Sequence, residues 1–165
     1  MSKKIRECEL YPPVRDWLAQ RGWEVHVEKW DCDIVAVKGD VLRAVELKPA
    51  LNEKLVRQLH DRARWADEVM GAVAAEPRGY QSKASGLRYS GFGLLQVDIT
   101  TGKVRQRIKP RPQPWHFHSR RTYRMRILAD RHPAMPHEMA GIPASAQLRE
   151  QNKLRRKIAA SGEGE

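Results

Sequence analysis

Cysteine is scarce in this sequence of 165 residues, which contains only Cys8 and Cys32. Two cysteines are too few for a disulfide framework, and this excludes the small disulfide-stabilised scaffolds of secreted proteins. Neither cysteine lies at zinc-motif spacing from the four histidines of the C-terminal third, so a structural zinc site is not predicted. A reducing compartment is the default for such a chain, and we expect a cytoplasmic protein.

Long apolar runs and glycine-rich loops are also missing. No stretch approaches the roughly 18 apolar residues of a membrane span, and the N-terminus has no apolar signal-peptide region, so no membrane partner is expected. The segment Gly91-Phe92-Gly93 is poor in glycine and lacks the strand-to-helix context of a phosphate-binding loop. A nucleotide site of that kind is therefore not predicted.

Acidic residues are too few to balance the basic ones, since 31 Lys or Arg face 20 Asp or Glu and the formal net charge is +11. This excess favours a polyanionic partner such as DNA. The charge is unevenly spread: residues 109–165 carry 12 basic and 5 acidic residues, net +7, whereas residues 1–108 carry 19 and 15, net +4. The C-terminal part is therefore the first candidate for contact with nucleic acid.

A β-hairpin is predicted over residues 33–48. The apolar, β-branched run from Asp33 to Val37 and the alternating run from Val41 to Lys48 flank the turn signal Gly39-Asp40. With a two-residue loop, Asp33 lies opposite Glu46, and their Cβ atoms are roughly 5 Å apart. Because side chains alternate along a strand, Glu46 and Lys48 share one face, and both point toward Asp33.

These residue types suit metal-dependent phosphodiester chemistry. Magnesium is a hard cation that one or two carboxylates and a backbone carbonyl can hold on a phosphate, and Asp33, Glu46 and the Leu47 carbonyl are the candidate ligands for Mg²⁺ or Mn²⁺. Lys48 supplies a fixed positive charge for water or phosphate. Two alternatives stay open: an exposed hairpin with an ordinary cross-strand charge set, and a metal site built on Asp31, which has the same side-chain parity as Asp33.

The same residues carry a family resemblance. Asp33 and Glu46-Leu47-Lys48, with the elements around them, resemble the PD-(D/E)xK nuclease superfamily, although Cys32 stands where a proline is usual. The chain from residue 9 to about 108 looks like a mostly uncharacterised family of such nuclease-like proteins with a winged-helix-like tail, on the segments 9–14, 22–25, 33–37 and 45–48.

The resemblance implies an α/β fold with a restriction-endonuclease-like core of helix, mixed β-sheet and helix. It also implies an acidic residue on the first helix that completes the metal site, and Glu9 matches that position. Alone, Glu9 equally fits a first-turn glutamate favoured by the helix dipole. Gln58 and His60, on the next helix, are possible auxiliary polar groups.

Periodicity predicts the remaining elements of a domain over residues 1–108. The first helix is predicted to begin near Glu9, with Pro12-Pro13 in its first turn and Gly22 as its stop. A strand follows over residues 23–27, and Asn52 caps a long basic second helix whose apolar stripe extends to Val69. Further strands are predicted at 69–74, 94–97 and 104–108, with Thr101-Gly102-Lys103 as a turn and a mobile surface loop over residues 76–91.

A Pro-rich linker over residues 109–115 is predicted to join this domain to a basic, mainly helical arm over residues 116–165, which fits a helix-turn-helix. Aromatic residues interleave with arginines there, as expected for base stacking and phosphate contact. An amphipathic helix packed on the core, or an arm that docks a protein partner or second copy, fits equally well. The predicted nucleic-acid contacts are Arg120, Arg121, Arg124, Arg126, Arg57 and Arg64.

The sequence therefore predicts a Mg²⁺-dependent deoxyribonuclease with Asp33, Glu46 and Lys48 at its centre. Two other functions remain open. One is a nucleic-acid-binding or assembly module on a nuclease fold without catalysis of its own, and the other is a dimeric, structure-selective junction nuclease.

Overall fold

The computed structural model describes residues 5–29, 32–74 and 80–114. Its elements follow one another along the chain as α1 (Glu7–Ala19), β1 (Glu24–Lys29), β2 (Cys32–Lys38), β3 (Val41–Lys48), α2 (Glu53–Arg62), β4 (Glu68–Ala74), α3 (Tyr80–Ser90), β5 (Gly93–Asp98) and β6 (Lys103–Ile108). The predicted C-terminal arm, with Arg120, Arg121, Arg124 and Arg126, lies outside these residues, and so does Asp31.

The six strands form one mixed sheet in sequence order. Strands β1, β2 and β3 are antiparallel neighbours, β3, β4 and β5 run parallel, and β6 returns antiparallel to β5. Parallel neighbours need a long crossover, and α2 and α3 supply the two that join β3 to β4 and β4 to β5. The predicted α/β fold with a mixed sheet is confirmed.

Helices cover both faces of the sheet and divide the core into two clusters. Leu55 and Leu59 of α2 and Leu87 of α3 belong to the cluster on one face, and Leu10 and Val14 of α1 belong to the cluster on the other. The strands between them are buried on both sides, as the unbroken burial of residues 42–48 shows. Such burial accounts for the nearly continuous apolar run of β4, whereas β3 buries three charged residues among its apolar ones.

The predicted hairpin is confirmed, with Lys38 paired to Val41 and Ile34 to Val45. Gly39 has φ +55°, a conformation that favours glycine and allows the two-residue turn. The Asn52 cap is also confirmed, because its side-chain oxygen accepts a hydrogen bond from the Leu55 N–H at 2.9 Å. The three predicted strands after α2 are present, each with ends that differ by at most one residue.

Three predicted elements differ from the structure in their bounds or content. Helix α1 begins at Glu7, so Pro12 and Pro13 lie in its second turn, and the N–H groups they lack would have bonded the carbonyls of the preceding turn. Helix α2 ends at Arg62 after 10 residues, so Val69 belongs to β4 and not to its stripe. The loop predicted over residues 76–91 contains the 11-residue helix α3.

The start of the predicted Pro-rich linker is extended but packs on the core. The Arg111 N–H donates to the Gly91 carbonyl at 2.9 Å, and the Gln113 N–H donates to the Asp67 carbonyl at 2.8 Å. Gln113 is buried, and its side-chain amide lies 3.2 to 3.3 Å from the carbonyls of Ser90, Gly91 and Arg111. The domain therefore includes residues 109–113.

Candidate active site

Asp33 and Glu46 face each other near the open end of the β2–β3 hairpin. The register that pairs Ile34 with Val45 continues to bring Asp33 opposite Glu46, as the sequence predicts. Asp33 Oδ2 accepts a hydrogen bond from the Leu47 N–H at 2.7 Å, which fixes its carboxylate against β3. Burial raises the pKa of Asp33, and the Leu47 N–H and the Lys48 cation oppose that rise.

Glu46 is completely buried. Its Oε1 accepts a hydrogen bond from Arg62 Nε at 2.6 Å, whereas its Oε2 has no hydrogen-bond partner among the described residues. Burial is the main cause that raises the pKa of Glu46 to about 8, and the negative charge of Asp33 is the second. The positive charge of Arg62 opposes this rise. Two ionised carboxylates that face each other in a buried site repel, and a proton or a cation between them relieves the repulsion.

Lys48 is also buried, and its Nζ lies 2.7 Å from Glu7 Oε1. The first residue of α1 thus contacts the lysine of the hairpin, which joins the helix to the site. Glu9 was predicted to complete the metal site from α1; its Oε2 accepts the Arg6 N–H at 2.8 Å and caps the start of α1. The acidic residue that α1 contributes to Lys48 is therefore Glu7.

Sequence reasoning also missed Arg62, which is not among the predicted site residues. Leu55, Leu59 and Arg62 are spaced four and three residues apart, so Arg62 continues the inward stripe that the two leucines begin. Glu7 continues the stripe of Leu10 and Val14 in the same way. A stripe that ends in a charged residue was the signal that would have identified both.

Two further polar side chains of α2 differ in their surroundings. Gln58 lies four residues before Arg62, on the same face, and its Oε1 is buried without a hydrogen-bond partner in the described part of the chain. His60 is exposed and lies edge-on to Phe92, with ring centroids 4.9 Å apart. Of the two predicted auxiliary groups, only Gln58 has a buried polar atom left to be satisfied.

Cys32 lies beside the carboxylates, where the resemblance leads one to expect proline. Its buried thiol donates to the Ile34 carbonyl with Sγ 3.1 Å from the oxygen. Burial and the charge of Glu46 raise the pKa of the thiol well above its ordinary value. Cys32 is therefore a neutral packing residue of the site.

The predicted surface contacts Arg57 and Arg64 are exposed on α2 and in the turn after it. No group of three or more His, Cys, Asp or Glu side chains within residues 5–29, 32–74 and 80–114 is arranged to hold a metal ion. Magnesium does not require such a group, because it keeps several waters and binds through one or two carboxylates. Asp33 and Glu46, whose Oε2 has no hydrogen-bond partner among the described residues, provide two such carboxylates.

No protein-family profile and no curated protein matches this chain. Among solved structures, the fold is similar to that of a protein of unknown function from Silicibacter pomeroyi, with a TM-score of 0.50 and 15% sequence identity. The match covers 82% of this chain and 100% of the other. At this identity the similarity concerns the fold alone. No helix of the described residues is long and apolar enough to cross a membrane.

Proposed function

We propose that this protein is a Mg²⁺-dependent deoxyribonuclease whose site is formed by Asp33, Glu46 and Lys48. The observation that carries the proposal is Glu46: a completely buried carboxylate with one unpartnered oxygen beside a second carboxylate. A buried polar atom without a partner calls for an explanation, and a bound cation provides one. The resemblance of these residues to the PD-(D/E)xK pattern and the net charge of +11 support DNA as the substrate.

Asp33 and Glu46 would hold the metal, with the Leu47 carbonyl as the proposed third ligand. A bound Mg²⁺ supplies Lewis-acid activation of water and neutralises charge on the scissile phosphate. The protein contributes rigidity, because the Leu47 N–H fixes Asp33 and Arg62 fixes Glu46. Lys48, held by Glu7, provides a positive charge at the end of β3 that stabilises the phosphate as its charge develops.

One observation favours a second function, a nucleic-acid-binding module without catalysis. Arg62 already neutralises one oxygen of Glu46 at 2.6 Å, so the site contains a cation of its own. In that case Glu46 and Arg62 form a structural pair, and the remaining oxygen carries a proton. The two functions differ in their prediction for Mg²⁺: a nuclease binds it at this site and needs it for cleavage, whereas the non-catalytic module does not bind it.

Cleavage of linear, circular, single-stranded and branched DNA with Mg²⁺, Mn²⁺ or EDTA tests the proposal. Asp33→Asn keeps an acceptor for the Leu47 N–H, and Glu46→Gln keeps one for Arg62, so both variants are expected to fold. We expect each to lose about 100-fold or more of the activity, because metal ions contribute several kcal/mol to such reactions. Lys48→Ala is expected to lower turnover while Mg²⁺ affinity, measured by calorimetry, changes little.

Glu53→Gln is the matched control, since Glu53 is an exposed carboxylate in the first turn of α2. Full activity in Asp33→Asn or Glu46→Gln would rule out this site. A wild-type protein that cleaves none of the substrates and binds no Mg²⁺, yet binds DNA, would establish the second function instead.

A further inference from the structure

Basic residues are concentrated in the last 35 residues of the described chain. Residues 80–114 contain seven Lys or Arg and one acidic residue, Asp98, whereas residues 1–79 contain 14 of each. All seven basic residues are exposed, on α3, on β6 and on the extended segment after it. They are Lys83, Arg88, Lys103, Arg105, Arg107, Lys109 and Arg111.

Tyr89 lies within this charge concentration and is 91% exposed. Every other Trp, Tyr or Phe whose side chain the structure describes is buried or half-buried. The surroundings of Tyr89 are fixed, because Arg111 Nη2 donates to the carbonyls of Arg88 and Tyr89 at 2.7 and 3.0 Å. The last turn of α3 and the extended segment thus form one surface, which we call the basic edge: Arg88, Tyr89, Lys109 and Arg111.

Protection of the sheet edge is the competing explanation. Strand β6 pairs only with β5, and charged residues on an edge strand prevent pairing with other chains. That explanation accounts for charge on β6 but not for Arg88, Lys109 or an exposed tyrosine, which lie outside the strand. Four of the seven basic residues lie outside the edge strand: Lys83, Arg88, Lys109 and Arg111.

We infer that the basic edge binds single-stranded nucleic acid, with the arginines and Lys109 on phosphates and Tyr89 stacked on a base. An exposed aromatic ring flanked by cations is the arrangement that sequence-tolerant single-strand binders use, and stacking needs a base that is not paired in a duplex. The chain continues from Pro114 into residues 115–165, which carry a further net charge of +5. This inference rests on the proposed function in one respect, namely that the polyanionic partner is a nucleic acid.

Fluorescence anisotropy of a labelled oligothymidylate in EDTA tests the inference on the full chain, because catalysis is absent there. Arg88→Ala with Lys109→Ala is expected to reduce the magnitude of the log-log salt slope by about 1.4, or 0.7 for each phosphate that is no longer neutralised on a single strand. Tyr89→Ala is expected to weaken binding about five-fold or more without changing that slope, and Tyr89→Trp to retain binding. Lys38→Ala with Lys54→Ala removes the same charge elsewhere and is expected to leave the slope unchanged.

An unchanged slope in the Arg88 and Lys109 double variant, or equal binding by Tyr89→Ala and wild type, would overturn the inference. So would polyglutamate binding as tight as oligothymidylate binding and equally sensitive to Tyr89→Ala, because an acidic protein would then be the better partner. Loss of cleavage in Asp33→Asn with intact oligothymidylate binding separates this surface from the candidate active site. Thermal melts of every variant show whether the fold is retained.

Discussion

At the scale of single residues, Glu46 combines complete burial with an incomplete set of partners. A carboxyl group whose pKa is raised in the folded protein holds its proton more tightly there than in the unfolded chain. The pKa of Asp33 is raised as well. Protonation of either carboxyl therefore favours the folded protein. The metal-free protein should therefore be most stable where this pair is protonated.

We predict that the free energy of unfolding of the metal-free protein falls as the pH rises from about 4.5 to about 8, the ordinary and raised pKa values of Glu46. Each unit of such a shift is worth about 1.4 kcal/mol. Urea unfolding in EDTA at several pH values measures the effect. Glu46→Gln should flatten the profile, because it mimics the protonated form, and an equally steep decline in that variant would contradict the assignment.

Magnesium should oppose this loss of stability with rising pH. The ion binds the deprotonated pair, so its stabilising effect should increase as the pH approaches and passes 8. Urea unfolding at matched pH values with and without Mg²⁺ measures that effect. If the protein is a nucleic-acid-binding module without catalysis, Mg²⁺ should not change its free energy of unfolding at any of these pH values.

The residues of the site differ in how far the sequence could specify them. The opposition of Asp33 and Glu46 follows from the length of one turn, because Gly39-Asp40 leaves a single register open. Glu7 and Arg62 reach the site from two separate helices, and their positions depend on how those helices pack on the sheet. Periodicity marks the inward faces, but it does not say which strand residue a long side chain will contact.

At the scale of elements, the strands were easier to predict than the helices. Strands β2 to β6 have apolar or alternating patterns bounded by turn residues, and these signals are local. Helix α3 was missed because the stretch around it is rich in glycine and proline. Gly86 lies on its exposed face, where an added Cβ would meet nothing within 4 Å, while Ala84 and Leu87 pack in the core.

The segment after β6 was predicted as a free linker because proline-rich composition indicates an extended chain. It is extended, but Gln113 anchors it through hydrogen bonds to the turn between α3 and β5. Gly93 also allows Pro110 to approach, since a Cβ there would lie 2.9 Å from Pro110 Cδ and 2.7 Å from Met70 Cε. Composition predicts the conformation of such a segment but not its contacts.

We therefore predict that Gln113→Ala destabilises the domain by about 1 to 3 kcal/mol, because buried carbonyls lose their donor. Truncation after Ile108 should cost more, since it also removes Pro110 and the Arg111 bonds to α3. Truncation after Pro114 should leave the described contacts intact. Urea unfolding of the three variants measures these differences, and equal stability after both truncations would show that the segment contributes nothing.

At the scale of the whole molecule, the net charge of +11 has two sources that the sequence alone did not separate. Residues 1–79 are balanced, residues 80–114 contribute +6 and residues 115–165 contribute +5. Dividing the chain at its proline-rich segment placed most of the charge in the predicted arm. The fold shows that a comparable share belongs to the domain itself.

Truncation after Pro114 tests the predicted arm without disturbing that domain. If Arg120, Arg121, Arg124 and Arg126 bind phosphates, duplex DNA binding should weaken and the salt slope should become shallower by about 0.9 for each phosphate that is no longer neutralised. Anisotropy across a salt series measures the slope. An identical slope, together with a changed elution volume on a sizing column, would instead identify the arm as a protein-docking or dimerisation segment.

The way α2 reaches the site has a consequence for folding kinetics. Asp33 and the residues it faces are joined by a two-residue turn, so the hairpin can form early, while water still surrounds both carboxylates. Docking of α2 then removes that water from Glu46 and delivers Arg62 in a single event. The barrier to docking therefore includes the free energy of burying a second negative charge. The protein should reach its native state faster when a proton or a divalent cation has already neutralised that charge.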